Sequence, residues 1–395
     1  LFYDQLLKAA NRGVRVRLLV DDMAFWGKDL GPAVADSHPN IEMRIFNPFS
    51  RKTSRMIQFV TRSGSVTRRM HNKSFTVDNQ VTILGGRNIG DEYFEADLDL
   101  GFSDLDVLAI GPVVKEASTS FDKYWNDELA YPAIALRGKA PTPQEIEQGH
   151  KELDEFIAQQ ADSAYIQALK TSDLANKIRQ GQVRYRWGKA EIIYDQPEKL
   201  QHDFDQTQYH LAPKLRPYSK SLTQELIIFS PYFVPGKAGV AVFKQLCGRG
   251  VRVRILTNSL ASNDVAIVHS GYSKYRKEML RAGVELYEMN KQLTKEQRKK
   301  KKRMGGSTKA SLHAKSFVFD RKHVFIGSLN LDPRAIHHNT EIGVVVASRK
   351  IANELAERFD QNIEKDAFRL ELKRNKDGTD RIMWHGLVDG EQKVF

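Results

Sequence analysis

The chain is almost without cysteine. Cys247 is the only one in 395 residues, so no intramolecular disulfide can form and a disulfide-stapled scaffold is excluded. A lone cysteine is compatible with a reducing compartment. Long apolar runs are missing as well: none approaches the ~18 residues that a spanning helix needs, so any membrane contact is expected to be peripheral. Acidic residues are the minority charge, 49 against 61 Lys and Arg. The basic stretches lack interleaved aromatics, which argues against stacking on nucleic-acid bases, and no nucleic-acid partner is expected. His337 and His338 make no metal-ligand spacing, and neither metal nor cofactor is expected. The chain opens at Leu1 on a helical stretch, without Met and without the strand and turn that its second half has in LIIFSPYFVP. A truncated N-terminus is therefore expected, which leaves targeting signals unread.

What is present is one pattern written twice, His71-x-Lys73-x4-Asp78-x6-Gly85-x-x-Asn88 and His313-x-Lys315-x4-Asp320-x6-Gly327-x-x-Asn330, 242 residues apart. In MHNKSFTVD and LHAKSFVFD the His and Lys stand two apart, so on a strand they share a face. A turn at Asp78 or Asp320 and a second apolar strand (VTIL, HVFI) ending in Gly85-Gly86 or Gly327-Ser328 then return the chain to its start. Asn88 and Asn330 come back beside the His/Lys pair of their own half, and the small residues before them let backbone N–H groups approach a ligand. Asp78 and Asp320 lie at the turn, out of phase with the Lys face, and read as structural turn or ion-pair residues.

Two His, two Lys and two Asn in one cleft suit an anion whose charge grows during reaction, and a phosphodiester is the obvious candidate. Lysine supplies a point charge, asparagine a directed donor, and histidine a nucleophile or acid near neutral pH. One histidine can attack phosphorus while the other protonates the leaving alcohol and then activates the incoming one. A single H-x-K would more often be a packed or surface pair; duplication of the whole set argues for chemistry.

The pattern resembles the HKD signature of the phospholipase D superfamily. Longer blocks carry a closer resemblance to bacterial cardiolipin synthases: RRMHNKSFTVD, GGRNIGDEYF and FSDLDVLAIGP in the first half, TNSLASNDVAIVHSGY, SLHAKSFVFD and GSLNLDPRAIHHNTEIG in the second. The likeness covers most of the chain and is weak over 136–222 and the C-terminal tail. It implies an α/β protein of two tandem phospholipase D-like α/β/α sandwich domains related by a pseudo-twofold axis, with the active site at their interface. It also implies a carboxylate on the far nitrogen of each histidine, matched here by Asp104 and Glu341, with Asp106 as a weaker substitute. In the bland alternative these acids merely end strands. By analogy His71 is the nucleophile and His313 the acid and base, although the pseudo-symmetry leaves the direction open to residue chemistry alone.

A second repeat supports two domains. RGVRVRLLVDD (12–22) recurs as RGVRVRILTNS (249–259), and each half reads helix, strand, helix, strand, hairpin, the alternation of a layered α/β domain. The expected units are 1–135, a mainly helical connector 136–222, and 223–395.

The basic surplus is concentrated. Residues 291–309 hold nine basic residues against one acid, including Arg298, Lys299, Lys300, Lys301, Lys302 and Arg303; residues 51–69 hold six and no acid. Each stretch precedes a catalytic strand, so both should flank the mouth of the cleft. They read as docking loops for anionic head groups, each engaged cation contributing ~1 kcal/mol at such a surface. Arg51, Lys52 and Arg55 would meet the charge, and Met56, Ile57, Phe59 and Val60 would dip into the interface. A solvated, disordered loop is the plain alternative for 298–303. Arg334 suits a phosphate or a nearby acid.

The expected reaction is phosphatidyl transfer from phosphatidylglycerol or phosphatidylethanolamine, giving cardiolipin with a second phosphatidylglycerol and phosphatidic acid with water. The expected setting is an anionic membrane surface, peripheral at the bacterial inner membrane on its cytoplasmic side. A nuclease-type phosphodiesterase and an inert membrane-binding module are the rivals. The intact motifs disfavour the second.

Overall fold

A computed structural model describes the chain except residues 26, 62, 90–103, 261, 263–265, 291–311 and 389. The first half supplies β1 (Val16–Asp21), β2 (Ile41–Phe46), β3 (Ser74–Val77), β4 (Val81–Gly85), β5 (Asp106–Ile110) and β6 (Ala130–Pro132). Next in the chain come β7 (Lys189–Tyr194), β8 (Glu225–Phe229), β9 (Arg252–Thr257), β10 (Glu285–Met289), β11 (Ser316–Phe319), β12 (His323–Gly327) and β13 (Ile342–Ala347). The C-terminal strands are β14 (Ala367–Arg374), β15 (Asp380–Val388) and β16 (Glu391–Val394).

In the second half one mixed sheet runs β16-β15-β14-β10-β9-β8-β11-β12-β13-β7. Its middle strands are apolar on both sides, as strands covered on both faces must be. Along β8, Leu226 and Ile228 face one core while Ile227 and Phe229 face the other, the period of two expected of a pleated strand. The first half repeats the order in two pieces, β1-β2-β6 and β3-β4-β5. Where β8 lies between β9 and β11, no described strand joins β1 to β3. Ser74, Phe75 and Val77 of β3 are exposed, whereas all four residues of β11 are buried.

The two halves share a core rather than merely touching. Val113, Val114 and Ala117 on the helix Val113–Trp125, together with Leu84 of β4, pack with Ile326, Val344 and Phe359 of the second half. Fully burying aliphatic side chains of this kind stabilises by roughly 1.5–3 kcal/mol each, so the halves are fixed relative to one another by their apolar faces.

Each catalytic-motif hairpin closes on a turn with two left-handed residues, Asp78-Asn79 (φ 53° and 54°) and Asp320-Arg321 (φ 49° and 50°). This is the twist that antiparallel hairpins favour. Asp320 adds a function there: its carboxylate accepts from the N–H groups of Thr223, Gln224 and Glu225 and from the Thr223 hydroxyl, tying the hairpin tip to the start of β8. Gly85 and Gly327 answer a crowding requirement. A Cβ on Gly327 would stand 2.4 Å from the carbonyl oxygen of Ile342, and one on Gly85 would stand 2.0 Å from Asp106 Oδ1.

The segment between the repeats is helical through Pro143–Gln160, Ala164–Thr171 and Asp173–Arg179, the first capped by the reciprocal Thr142–Glu145 hydrogen bonds. It then contributes β7, which pairs antiparallel with β13, Tyr194 opposite Ile342. The second sheet thus begins well before residue 223.

Candidate active site

At the C-terminal ends of the repeated strands β1 and β9, the last residue of β1 and the residue just after β9 are polar and fix the backbone just before a histidine. Asp21 accepts the Met70 N–H at 3.0 Å and takes Arg69 through Nε and Nη2 at 2.9–3.0 Å. Asn258, the equivalent residue in the repeat, brackets Leu312, receiving its N–H at 2.9 Å and donating Nδ2 to its carbonyl at 3.0 Å. The His71 N–H then donates to Thr340 O at 2.9 Å, and the Thr340 N–H to Arg69 O at 3.0 Å. The first histidine is therefore laced to the segment that leads into Glu341.

The histidines and their acids are crossed between halves. His71 Nδ1 stands 2.8 Å from Glu341 Oε2, and His313 Nδ1 stands 2.8 Å from Asp104 Oδ2. With Nδ1–H donating to carboxylate, the ring's lone pair is on Nε2, as in the triad logic of acyl-transfer enzymes. Lys73 Nζ donates to His71 O at 2.8 Å and Lys315 Nζ to His313 O at 2.6 Å, so each ammonium is held beside its own histidine. Ser328, from sequence only a small residue closing the second hairpin strand before Asn330, donates its hydroxyl to Glu341 Oε2 and receives the Ile342 N–H at 3.1 Å. Gly86 is needed beside the other pair: a Cβ there would meet Asp104 Oδ1 at 2.7 Å.

The electrostatics are those of a cleft crowded with cations. Burial, then the charges of Lys73, Lys315 and Arg334, hold His71 well below the ordinary histidine range. Burial brings His313 down to about 4 against the pull of Asp104, with Lys315 pushing the same way as burial. Lys73 falls to about 7, chiefly through burial, with Glu341 opposing and Lys315 assisting. The two acids differ. Burial pushes Glu341 up to about 8 against Lys73 and the Ser328 hydroxyl. Burial also acts on Asp104, but the hydrogen bond from His313 and the Lys315 charge outweigh it and keep Asp104 below its usual range. A bound phosphodiester anion would counter the crowding and raise the proton affinity of all three bases.

A pH dependence follows. Lys73 keeps its charge below about 7 and loses it above, so kcat/KM, which reports the free protein, should fall as pH rises through that region. The limb in kcat should lie higher because the bound phosphate restores the cation. Lys73→Arg should carry the kcat/KM limb out of range; a pH profile unchanged by that substitution would refute the assignment.

The structure places the remaining sequence-predicted residues as follows. Asn330 is buried and Asn88 half-buried at the ends of their hairpins. Asp106 is not the acid on His313: it pairs with Arg87, Nε to Oδ2 at 2.6 Å. Arg51 is a correction. Its guanidinium is held by Asp29, Nε to Oδ2 at 3.0 Å, and by Asp22, Nη2 to Oδ1 at 2.8 Å, so it braces the loop and is not free to meet a lipid. Gln58, buried behind it, receives the Ser50 N–H and donates to the Ser50 and Thr53 carbonyls. Lys52 is exposed, and the helix Arg55–Thr61 presents Met56 (82% exposed), Ile57 and Val60 (81%) to solvent. The side chains of Arg55 and Phe59, and Arg298, Lys299, Lys300, Lys301, Lys302 and Arg303 entirely, lie outside the described residues. Among the described residues no three of His, Cys, Asp and Glu stand together as a metal site, and no helix is long and apolar enough to cross a membrane. Asp21 and Asn258 were legible as a repeat but not as anchors. Asp195 and Lys199, packed behind Glu341, gave no motif at all.

Comparison with known proteins identifies the family. A family model described as cardiolipin synthase, PLD-like domain, matches residues 1–125 and 219–363. The chain is 41% identical over 392 residues to cardiolipin synthase C of Escherichia coli (strain K12), spanning 97% of this chain and 80% of that one. It is 23% identical over 397 residues to a cardiolipin synthase of Alkalihalophilus pseudofirmus, spanning 99% and 63%. Phosphatidylserine synthase from Haemophilus influenzae has a similar fold, with a TM-score of 0.53 at 13% identity over 94% of this chain and 85% of that one. With both motif-bearing halves inside the matched segments, the chain belongs to the cardiolipin synthase family of phospholipase D-like proteins.

Proposed function

We propose that this protein is a phosphatidyltransferase that makes cardiolipin in two displacements at one phosphorus. His71 Nε2 attacks the phosphorus of a donor phospholipid, phosphatidylglycerol or phosphatidylethanolamine. The bond from phosphorus to the head-group oxygen breaks, and that oxygen takes the Nε2 proton of His313, which enters the cycle as the imidazolium once the bound phosphodiester has raised its proton affinity. The phosphatidyl group then rests on His71 as a phosphohistidine. A glycerol hydroxyl of phosphatidylglycerol next gives its proton to His313 while its oxygen attacks phosphorus; the P–N bond breaks, and cardiolipin leaves. Water in the hydroxyl's place yields phosphatidic acid. Lys73, Lys315, Asn88 and Asn330 hold the phosphoryl oxygens through both steps. The observation that carries this reading is the pair of histidines, each hydrogen-bonded at Nδ1 to a carboxylate of the opposite half and each beside a lysine ammonium.

We further propose that the protein works docked on an anionic bilayer, on the cytoplasmic face of the inner membrane. The exposed Met56, Ile57 and Val60 beside Lys52 suit the apolar-plus-basic surface of an interfacial helix. The basic run at 298–303 adds charge by sequence.

The test is lipid mass spectrometry after incubation with mixed phosphatidylglycerol and phosphatidylethanolamine vesicles in chelator, one head group labelled to identify the donor. Cardiolipin is expected. Phosphatidic acid alone would mean hydrolysis, and no lipid turnover would refute the proposal. In the same assay Met56→Asp/Val60→Asp should lower conversion on vesicles by roughly tenfold or more, since two apolar anchors leave the interface, and leave a soluble nitrophenyl phosphodiester unaffected. Equal loss on both substrates would refute docking through this helix.

A further inference from the structure

The pseudo-twofold symmetry also fails beside the two acids. The acid of the His313 half-site precedes β5, the outer strand of its sheet, whereas Glu341 precedes β13, which is backed by β7 from the segment between the repeats. At the end of β7 stands Asp195. Its N–H donates to Glu341 O at 2.9 Å, and its Oδ2 accepts the Glu341 N–H at 2.8 Å. Its Oδ1 accepts the Leu211 N–H at 2.6 Å and meets Lys199 Nζ at 3.0 Å. Lys199 Nζ also donates to Ala335 O at 3.1 Å, in the turn that carries Arg334, and Tyr124 OH donates to Asp195 O at 2.6 Å. Asp195 is fully buried and Lys199 2% exposed.

A buried ion pair is a poor device for stability alone, because well-packed apolar residues often do as well or better. This one clamps both backbone polar groups of Glu341 through a single residue and has no counterpart among the described residues at the other half-site. We infer that Asp195 is a positioning residue: with Lys199 as counter-ion it fixes the Glu341 backbone so that the carboxylate meets His71 Nδ1, making the two half-sites unequal. This rests on the proposed role of the His71–Glu341 pair. The loss expected on removing such a supporting partner is roughly 10–100-fold.

The test compares the parent with Asp195→Asn/Lys199→Met, which removes both buried charges together. Thermal unfolding, turnover on phosphatidylglycerol vesicles, and the Nδ1–H proton resonance of His71, identified by its loss in His71→Ala, are measured on each. The expected double variant unfolds within a few degrees of the parent, loses roughly 10–100-fold in kcat at unchanged half-saturation, and shows a shifted or exchange-broadened His71 resonance with that of His313 unmoved. A double variant with the parent's His71 resonance and kcat within twofold overturns the inference. If the double variant does not fold, Asp195→Asn alone is judged by the same resonance, since its amide turns Nδ2 toward the Glu341 N–H while its oxygen stays with Lys199. A parent that turns over no phospholipid overturns the proposed reaction, and the resonance still decides the role of Asp195.

Discussion

His71→Ala and His313→Ala are each expected to lower cardiolipin formation by at least about ten-thousand-fold, the scale on which residues that act as a unit fail when one is removed. The two losses should differ in kind. With a nitrophenyl phosphodiester the leaving group departs without a proton, so His313→Ala should still form the phosphohistidine and accumulate it. His71→Ala should form none, because the P–N bond has no nitrogen to form on. Acid-quenched phosphoenzyme, measured by mass spectrometry, separates the cases. Phosphoenzyme in His71→Ala and none in His313→Ala would exchange the two roles. Loss of phosphoenzyme in both would refute a divided mechanism. The near-symmetry of the hairpins makes this measurement necessary, since each histidine has its own lysine and its own acid at matching distances.

The second large effect tests the crossing. Glu341→Gln and Asp104→Asn should each cost roughly 10²–10⁴-fold, because a carboxamide can hold the imidazole in the wrong tautomer and cannot balance a developing imidazolium. The pattern matters more than the size. Glu341→Gln should behave like a weakened His71→Ala, slow in forming phosphoenzyme even with the nitrophenyl leaving group. Asp104→Asn should behave like a weakened His313→Ala, slow with a lipid donor and largely restored with the nitrophenyl one. If Glu341→Gln instead followed His313, the acid in the same half would be the functional partner, and the crossed geometry would be wrong. Ser328→Ala should accompany Glu341→Gln at smaller magnitude, since its hydroxyl holds the same carboxylate oxygen.

Much of this site is legible in the sequence. Histidine, lysine and asparagine at fixed spacing on two apolar hairpins declared their own geometry, because strand period and turn length determine where such residues return. What stayed hidden depends on long-range placement. The partner of His71 lies 270 residues away and that of His313 lies 209 away, and no local periodicity encodes which acid reaches which ring. Arg51 was misread for a related reason. Its two carboxylates lie 29 and 22 residues earlier in the chain, and a sequence stretch with no acids of its own looks like an unpaired basic patch. Asp195 and Lys199 sit i and i+4 in a segment without a repeat, so nothing marked them, and β7 passed as part of a helical connector although its Ile192 and Ile193 alternate between the two cores. Asp320 shows the opposite outcome: turn parity alone separated it from the lysine face, and its four hydrogen bonds are all to the start of β8.

The crossing of acid and base has a consequence for how such a chain can arise. A single half owns a histidine and an acid that do not face each other, so it could complete its chemistry only against a second copy of itself, mouth to mouth. Two halves in one polypeptide make that meeting permanent and release it from concentration. They also release it from identity. Once the faces are encoded separately, one can keep an aspartate with its carboxylate held ionised while the other takes a glutamate and recruits a strand from outside the repeat, and a site that two copies of one half would keep symmetric acquires a direction.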